Sequence, residues 1–212
     1  MKRLLAVGPH TDDIELGCGG TVCRALRAGW EVEFLVFSIA QESVPEGFGE
    51  DALRHEAQEA AAVLGVKTKD VTILDFPVRH FPEHRQDILD HLVNVRQHGF
   101  DIVLCPSPFD VHQDHGVVYS ESIRAFKSTA TLLGYDVPWN SASASAAEPT
   151  TFITFGADIL EQKIAALGRY RTQVAKARPY FSTEYITAWA KYRGVQVGKE
   201  YAEAFHALRV TI

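Results

Sequence analysis

The chain is short of the features that would assign it to several common classes. Its 212 residues include only three cysteines, Cys18, Cys23 and Cys105, and none is spaced as C-x-x-C. A disulfide framework is therefore not expected, and reduced thiols are. Long apolar runs are missing too. The basic start Met1-Lys2-Arg3 is followed by only a few apolar residues before Pro9 and His10, too few for a signal peptide or a membrane span, so a cytoplasmic protein is expected. Lysine and arginine do not cluster, and a formal charge of -6 with a pI near 5.8 argues against a nucleic-acid surface and for a small polar ligand. The first turn lacks G-x-G-x-x-G and places carboxylates where a pyrophosphate would lie, so like charges disfavour a dinucleotide site.

What remains is ordinary globular composition, 46% hydrophobic and 23% charged, in a length that suits one domain, or one domain with an appended C-terminal piece, with a real core. Residues 2–7 form a continuous apolar run that reads as a buried strand, and residues 17–28 place Val22, Ala25 and Leu26 at helical spacing. A second strand over 31–37, a polar loop over 38–49 and a helix over 51–64 follow, the helix stopped by Gly65. Residues 71–74, 83–97 and 102–105 continue as strand, helix, strand, with another helix over 116–126. This alternation predicts an α/β fold, Rossmann-like, with a mostly parallel sheet, right-handed crossovers and helices on both faces. Ligands of such sheets sit outside the carboxyl ends of the strands. The Ser/Ala alternation over 141–147 reads as a loop, and loops 38–49 and 135–150 are expected at the mouth of the site.

Two segments carry chemistry. Gly8-Pro9-His10-Thr11-Asp12-Asp13 begins where the first strand ends, and Asp110-Val111-His112-Gln113-Asp114-His115-Gly116 follows the fourth strand. Alone, a Pro-His-Thr-Asp-Asp turn is also a good helix cap. Together the segments reach the same edge of the sheet, which favours a site. His10, Asp13 and His115 are expected as metal ligands, since two histidines and one aspartate with an open position suit a catalytic zinc. Asp12 is expected as the base beside them. His112 is expected as a cationic or hydrogen-bond-donating group facing the substrate, with Asp114 as its orienting partner in the catalytic set. Cys18 reads as a small buried thiol.

Pro9-His10-Thr11-Asp12-Asp13 with Glu15-Leu16-Gly17, and His112-Gln113-Asp114-His115, resemble the P-H-P-D-D-x-x-L-G and H-P-D-H motifs of the LmbE-like, or PIG-L, metal-dependent N-deacetylases. The resemblance covers nearly the whole chain. Arg54 to Gly65 is similar to the family's R-x-E-x-x-x-A-A-x-x-L-G helix, and Arg193-Gly194 with Tyr201-Ala202-Glu203 to its R-G and Y-A-E elements. Thr11 and Gln113 stand where proline is usual, and Tyr170-Arg171-Thr172-Gln173 stands where many relatives show H-x-S-Q. The resemblance implies one LmbE-like domain over 1–212 and a zinc ion on His10, Asp13 and His115, with Fe(II) or another divalent metal as the alternative. It also implies Asp12 as general base, His112 on the oxyanion side, Arg54 as a substrate contact, and assembly into trimers or hexamers.

The expected activity is hydrolysis of an N-acetyl group from an amino sugar or sugar conjugate by activated water. The rival expectations are a metal-dependent hydrolase of another bond, such as a phosphoester, and a noncatalytic sugar- or metal-binding module. Sequence does not distinguish a free, nucleotide-linked, lipid-linked or thiol-conjugated sugar.

Overall fold

The computed structural model describes residues 1–141 and 148–211. The Ser/Ala stretch is therefore described only at Ser141, and residues 142–147 lie outside the described part. The elements in chain order are β1 (Arg3–His10), α1 (Asp13–Arg27), β2 (Glu31–Ser38), α2 (Ala52–Leu64), β3 (Val71–Ile73), α3 (Arg85–Arg96) and β4 (Ile102–Pro106). They continue with α4 (Gln113–Phe126), β5 (Thr131–Tyr135), β6 (Thr151–Phe155), α5 (Ala157–Leu167), α6 (Arg171–Ala175), α7 (Thr183–Val195) and β7 (Tyr201–Arg209).

The described strands form one sheet in the order β3-β2-β1-β4-β5-β7-β6. From β3 to β5 every pairing is parallel, while β7 runs antiparallel to both β5 and β6. The expected α/β architecture is thus present, with an antiparallel edge that the sequence pattern did not indicate. Alternate residues on each strand enter different cores. Leu4 and Ala6 of β1 pack under the layer of α1, α2, α5 and α7, and Leu5 and Val7 pack under α3 and α4. Both faces being covered explains why the central strands read as unbroken apolar runs instead of alternating ones. Each fully buried Leu, Val or Phe contributes about 1.5–3 kcal/mol to this sandwich.

Strand order reverses between β1 and β4, and chains leave the sheet there in opposite directions, opening a crevice at their carboxyl ends. β1 runs three residues past the apolar segment, because backbone pairing with β2 continues to His10 opposite Ser38. Helix α1 likewise starts at Asp13, four residues earlier than its apolar spacing suggests, and is kinked at Cys18. The glycines around the kink permit close packing: a Cβ on Gly17 would lie 2.2 Å from the Tyr135 ring, and one on Gly20 2.6 Å from Phe155. Tyr135, wholly buried, donates its hydroxyl to the Val7 carbonyl at 2.8 Å, tying β5 to the end of β1. Among the described residues no helix is long and apolar enough to cross a membrane.

Candidate active site

His10 closes β1, Asp13 opens α1, and His115 sits in the first turn of α4, which begins three residues earlier than expected and takes Gln113, Asp114 and His115 out of the loop. Two turns about a hundred residues apart in sequence therefore meet over the β1–β4 crevice. Asp13 Oδ2 lies 3.3 Å from His10 Nδ1 and 3.3 Å from His115 Nε2, and those two nitrogens are 3.3 Å apart.

The other nitrogen of each histidine is committed. His10 Nε2 faces Asp114 Oδ2 at 2.9 Å, and His115 Nδ1 faces Asp110 Oδ2 at 2.7 Å. A carboxylate only accepts, so each histidine gives a proton to it and turns a lone pair toward the centre. Three acceptor atoms then converge on one point, an arrangement that needs a positive charge. Metal bonds near 2.0–2.1 Å at tetrahedral angles put ligand atoms roughly 3.3–3.4 Å apart, so the triangle fits a divalent cation without rearrangement. Protonation follows the same demand. Burial opposes charge on His115, yet the Asp13 carboxylate and the bond to Asp110 push it up to about 10. Burial likewise opposes charge on Asp13, but His115 and His10 hold its carboxyl below the usual range.

Asp114 requires a correction. Expected to orient His112, its carboxylate instead binds His10 and accepts the amides of Arg79 at 2.6 Å and Phe81 at 3.3 Å, while its Oδ2 stands 4.0 Å from His112 Nδ1. The helix turn is the reason: the Asp114 side chain points under β1, and only its backbone amide reaches His112. His112 caps α4 by accepting that amide on Nδ1 at 3.2 Å. With Nδ1 accepting, the neutral ring carries its hydrogen on Nε2. Burial and the neighbouring rings of His10 and His115 also lower the His112 pKa, so the geometry fits a neutral donor and not the cationic alternative. A purely histidine grouping of His10, His112 and His115 is also close, with nitrogen atoms within 4.8 Å. Asp13 completes a tighter set, and a ring that donates from Nε2 has no lone pair there to offer.

Asp12 caps α1 in the left-handed conformation, φ 83°, with its amide donating to Tyr170 Oη at 3.0 Å. Tyr170 is fully buried and Glu15 nearly so, its carboxyl pushed up to about 7 by burial. Tyr170 thus braces the loop that presents Asp12. Burial raises the Asp12 carboxyl, and the adjacent Asp13 and Glu15 carboxylates raise it further, well above the usual range.

These groups line a cavity of about 310 Å³ whose wall also includes Ser43, Trp139, Asn140, Gln173, Arg178 and Tyr180. Ser43 and Trp139–Asn140 come from the two loops expected at the mouth. Arg54 does not line it. Its guanidinium is paired with Asp75 and donates to the Ile73 carbonyl at 3.0 Å, because Arg54 lies about 100° around α2 from Leu53, which does face the cavity. Asp110, Tyr170 and Arg178 had no assigned role in the sequence. Only Asp110 carried a signal, being a carboxylate five residues before His115. Of the four non-glycine residues with positive φ among the described residues, Asp12 and Ala40 line this cavity and Arg79 donates its amide to Asp114; the fourth is Ala177. Concentration of backbone strain at one place is a mark of function.

The chain resembles known proteins over nearly its whole length. The chain is 27% identical to diacetylchitobiose deacetylase of Thermococcus kodakarensis over 96% of its own length and 82% of that protein. The structure of N,N'-diacetylchitobiose deacetylase from Pyrococcus horikoshii superposes with a TM-score of 0.78 at 22% identity, covering 97% of this chain and 83% of that one. The 4-carboxy-2-hydroxymuconate hydratase GalB of Pseudomonas putida shares the fold as well, with a TM-score of 0.76 at 20% identity over 100% and 98% of the two chains. The family model described as PIG-L, GlcNAc-PI de-N-acetylase, matches residues 5–126, more than half of the sequence, and the chain belongs to that family.

Proposed function

We propose that the protein removes an N-acetyl group from an amino sugar or sugar conjugate, using a divalent cation, zinc in the first instance, on His10, Asp13 and His115. The observation that carries this reading is the triangle of acceptor atoms at 3.3 Å beside an unpaired carboxylate, Asp12. When bound, such a cation supplies Lewis-acid polarisation and a water acidic enough to lose its proton near neutral pH. Asp12, held basic by burial and its acidic neighbours, would serve as the general base and return the proton to the departing amine. The Nε2 hydrogen of His112 is positioned to meet the carbonyl oxygen as negative charge grows on it; loss of one such donor typically costs ~10²–10³ in rate. Asp110 and Asp114 fix the histidine lone pairs, and Tyr170 fixes the Asp12 backbone.

An activated water could equally add to a double bond, as the shared fold of a hydratase indicates. Amide hydrolysis is favoured because a deacetylase aligns with nearly the whole chain. Metal analysis followed by an amine-release screen across N-acetylated sugars, with phosphoesters and an enoic acid as controls, tests the reading. Asp12→Ala is expected to keep its metal and lose turnover, and His115→Ala to lose metal. Wild-type deacetylation by Asp12→Ala would refute the role given to that carboxylate.

A further inference from the structure

The cavity floor is acidic, with Asp12 and Asp13, and the whole chain carries a formal charge of -6. One wall is different. Arg178 is the one permanent cation among the described lining residues, it is exposed, and no described carboxylate lies within ion-pair distance of it. Its guanidinium rests on Tyr180, bonding to the hydroxyl and lying 5.6 Å from the ring centre. Lys176, two residues earlier, reaches over to the carbonyl of Ser43, a residue of the opposite rim, and is likewise without a described carboxylate partner. Between the two cations Ala177 takes a left-handed backbone, φ 48°, which alanine adopts unwillingly. Beside Arg178, Trp139 and Tyr180 stack at 3.5 Å between centroids and 15° between planes, and both line the cavity.

Asp12 on the floor acts on both cations from a distance, yet neither forms an ion pair with a described carboxylate, and a neutral N-acetyl sugar would leave the Arg178 guanidinium without an anionic partner. We infer that the substrate carries an acidic group, phosphate or carboxylate, away from the scissile amide, and that Arg178 with Lys176 receives it while the Trp139–Tyr180 pair covers the sugar. The inference rests on the deacetylase reading above and narrows its substrate class. Arginine suits the task because its planar fork meets either anion with two hydrogen bonds.

The test uses metal-loaded protein with N-acetylglucosamine, N-acetylglucosamine 1-phosphate, N-acetylglucosamine 6-phosphate and N-acetylmuramic acid. An acid-bearing sugar is expected to exceed the neutral one at least about tenfold in kcat/KM, chiefly through KM, and the advantage should shrink with added salt. Preference among the arms tells phosphate from carboxylate. Arg178→Gln should bring the acid-to-neutral ratio close to one, with Arg178→Lys recovering part of it. A ratio of one in the wild type, or a ratio that Arg178→Gln leaves in place, overturns the inference. Turnover of none of the four would count against the deacetylase reading instead. Calorimetry on Asp12→Asn then decides the present point: tighter binding of an acidic sugar that Arg178→Gln abolishes supports it, and equal binding of acidic and neutral sugars refutes it.

Discussion

Two buried charge clusters lie along helix α1, and they are wired in opposite ways. Midway along it, Glu203 of β7 accepts the amides of Gly20 and Thr21, the Thr21 hydroxyl and the ammonium of Lys163, at 2.6–2.8 Å, and Lys163 also donates to the Leu16 carbonyl at 2.7 Å. Donors and acceptors match, and the carboxylate caps the helix segment that restarts after the kink at Cys18. At the start of the same helix, Asp13, His10 and His115 turn three acceptors on one point, and the ring donors of the two histidines face outward to Asp114 and Asp110. The lesson is that burial and charge alone do not mark a site. A cluster that is complete holds the fold together, whereas one that lacks a positive partner is built to bind one.

That contrast can be broken from either side. The largest effect on stability is expected from Lys163→Met, which leaves Glu203 buried without its cation. Loss of about 3–5 kcal/mol, or roughly 6–20 °C in Tm, should appear in thermal unfolding. Metal content of the folded fraction should stay at the wild-type level; a loss of metal would show that the two clusters are not separable. Next in size, Asp110→Asn and Asp114→Asn should each weaken metal binding about 10–100-fold, measured by competition with a chelating dye, while the fold persists. Unchanged affinity would remove the orienting role given to these carboxylates.

A smaller effect concerns pH. In chelator-treated protein His115 titrates near 10, above its unfolded value of 6.5, so its contribution to stability is complete below about pH 6.5 and is lost as pH rises through about 10. Tm of the metal-free protein should fall over that window, and His115→Ala should flatten the slope. Metal-loaded protein should show the reverse trend in affinity, because the cation competes with that proton. Smallest of all is relief of strain. Ala177→Gly should raise Tm by roughly 2–4 °C, since a left-handed alanine costs about 1 kcal/mol. A drop in Tm would mean that the loop gains more from the methyl group than it loses in backbone strain.

Much of the first half of the chain was legible. Strands over 31–37 and 102–105 and the helix over 51–64 lie within about one residue of the observed elements, because fully buried strands and a Gly65-stopped helix leave strong patterns. Element ends were less so. β1 and α4 extend beyond their apolar spacing, since sheet pairing at His10 and the His112 cap set those ends, and neither depends on hydrophobicity. The later part of the chain gave little, and β7 shows why. Its Glu203 and His206 are buried polar residues whose partners, Thr21, Lys163 and Asp136, come from elsewhere in the chain.

The amino-acid order alone determined the alternation that makes a parallel sheet, and it determined which residue types arrive at the ends of β1 and β4, because local periodicity and short motifs are properties of neighbouring residues. Only tertiary structure decided that Asp114 serves His10 and not His112, that Asp110 serves His115, that Arg54 turns to Asp75, and that Tyr170 and Arg178 reach the same cavity as Asp12. Apart from the Asp110–His115 pair, which spans one loop into α4, those outcomes depend on distances between segments tens to more than a hundred and fifty residues apart, and such distances exist only once the sheet has closed around its two cores.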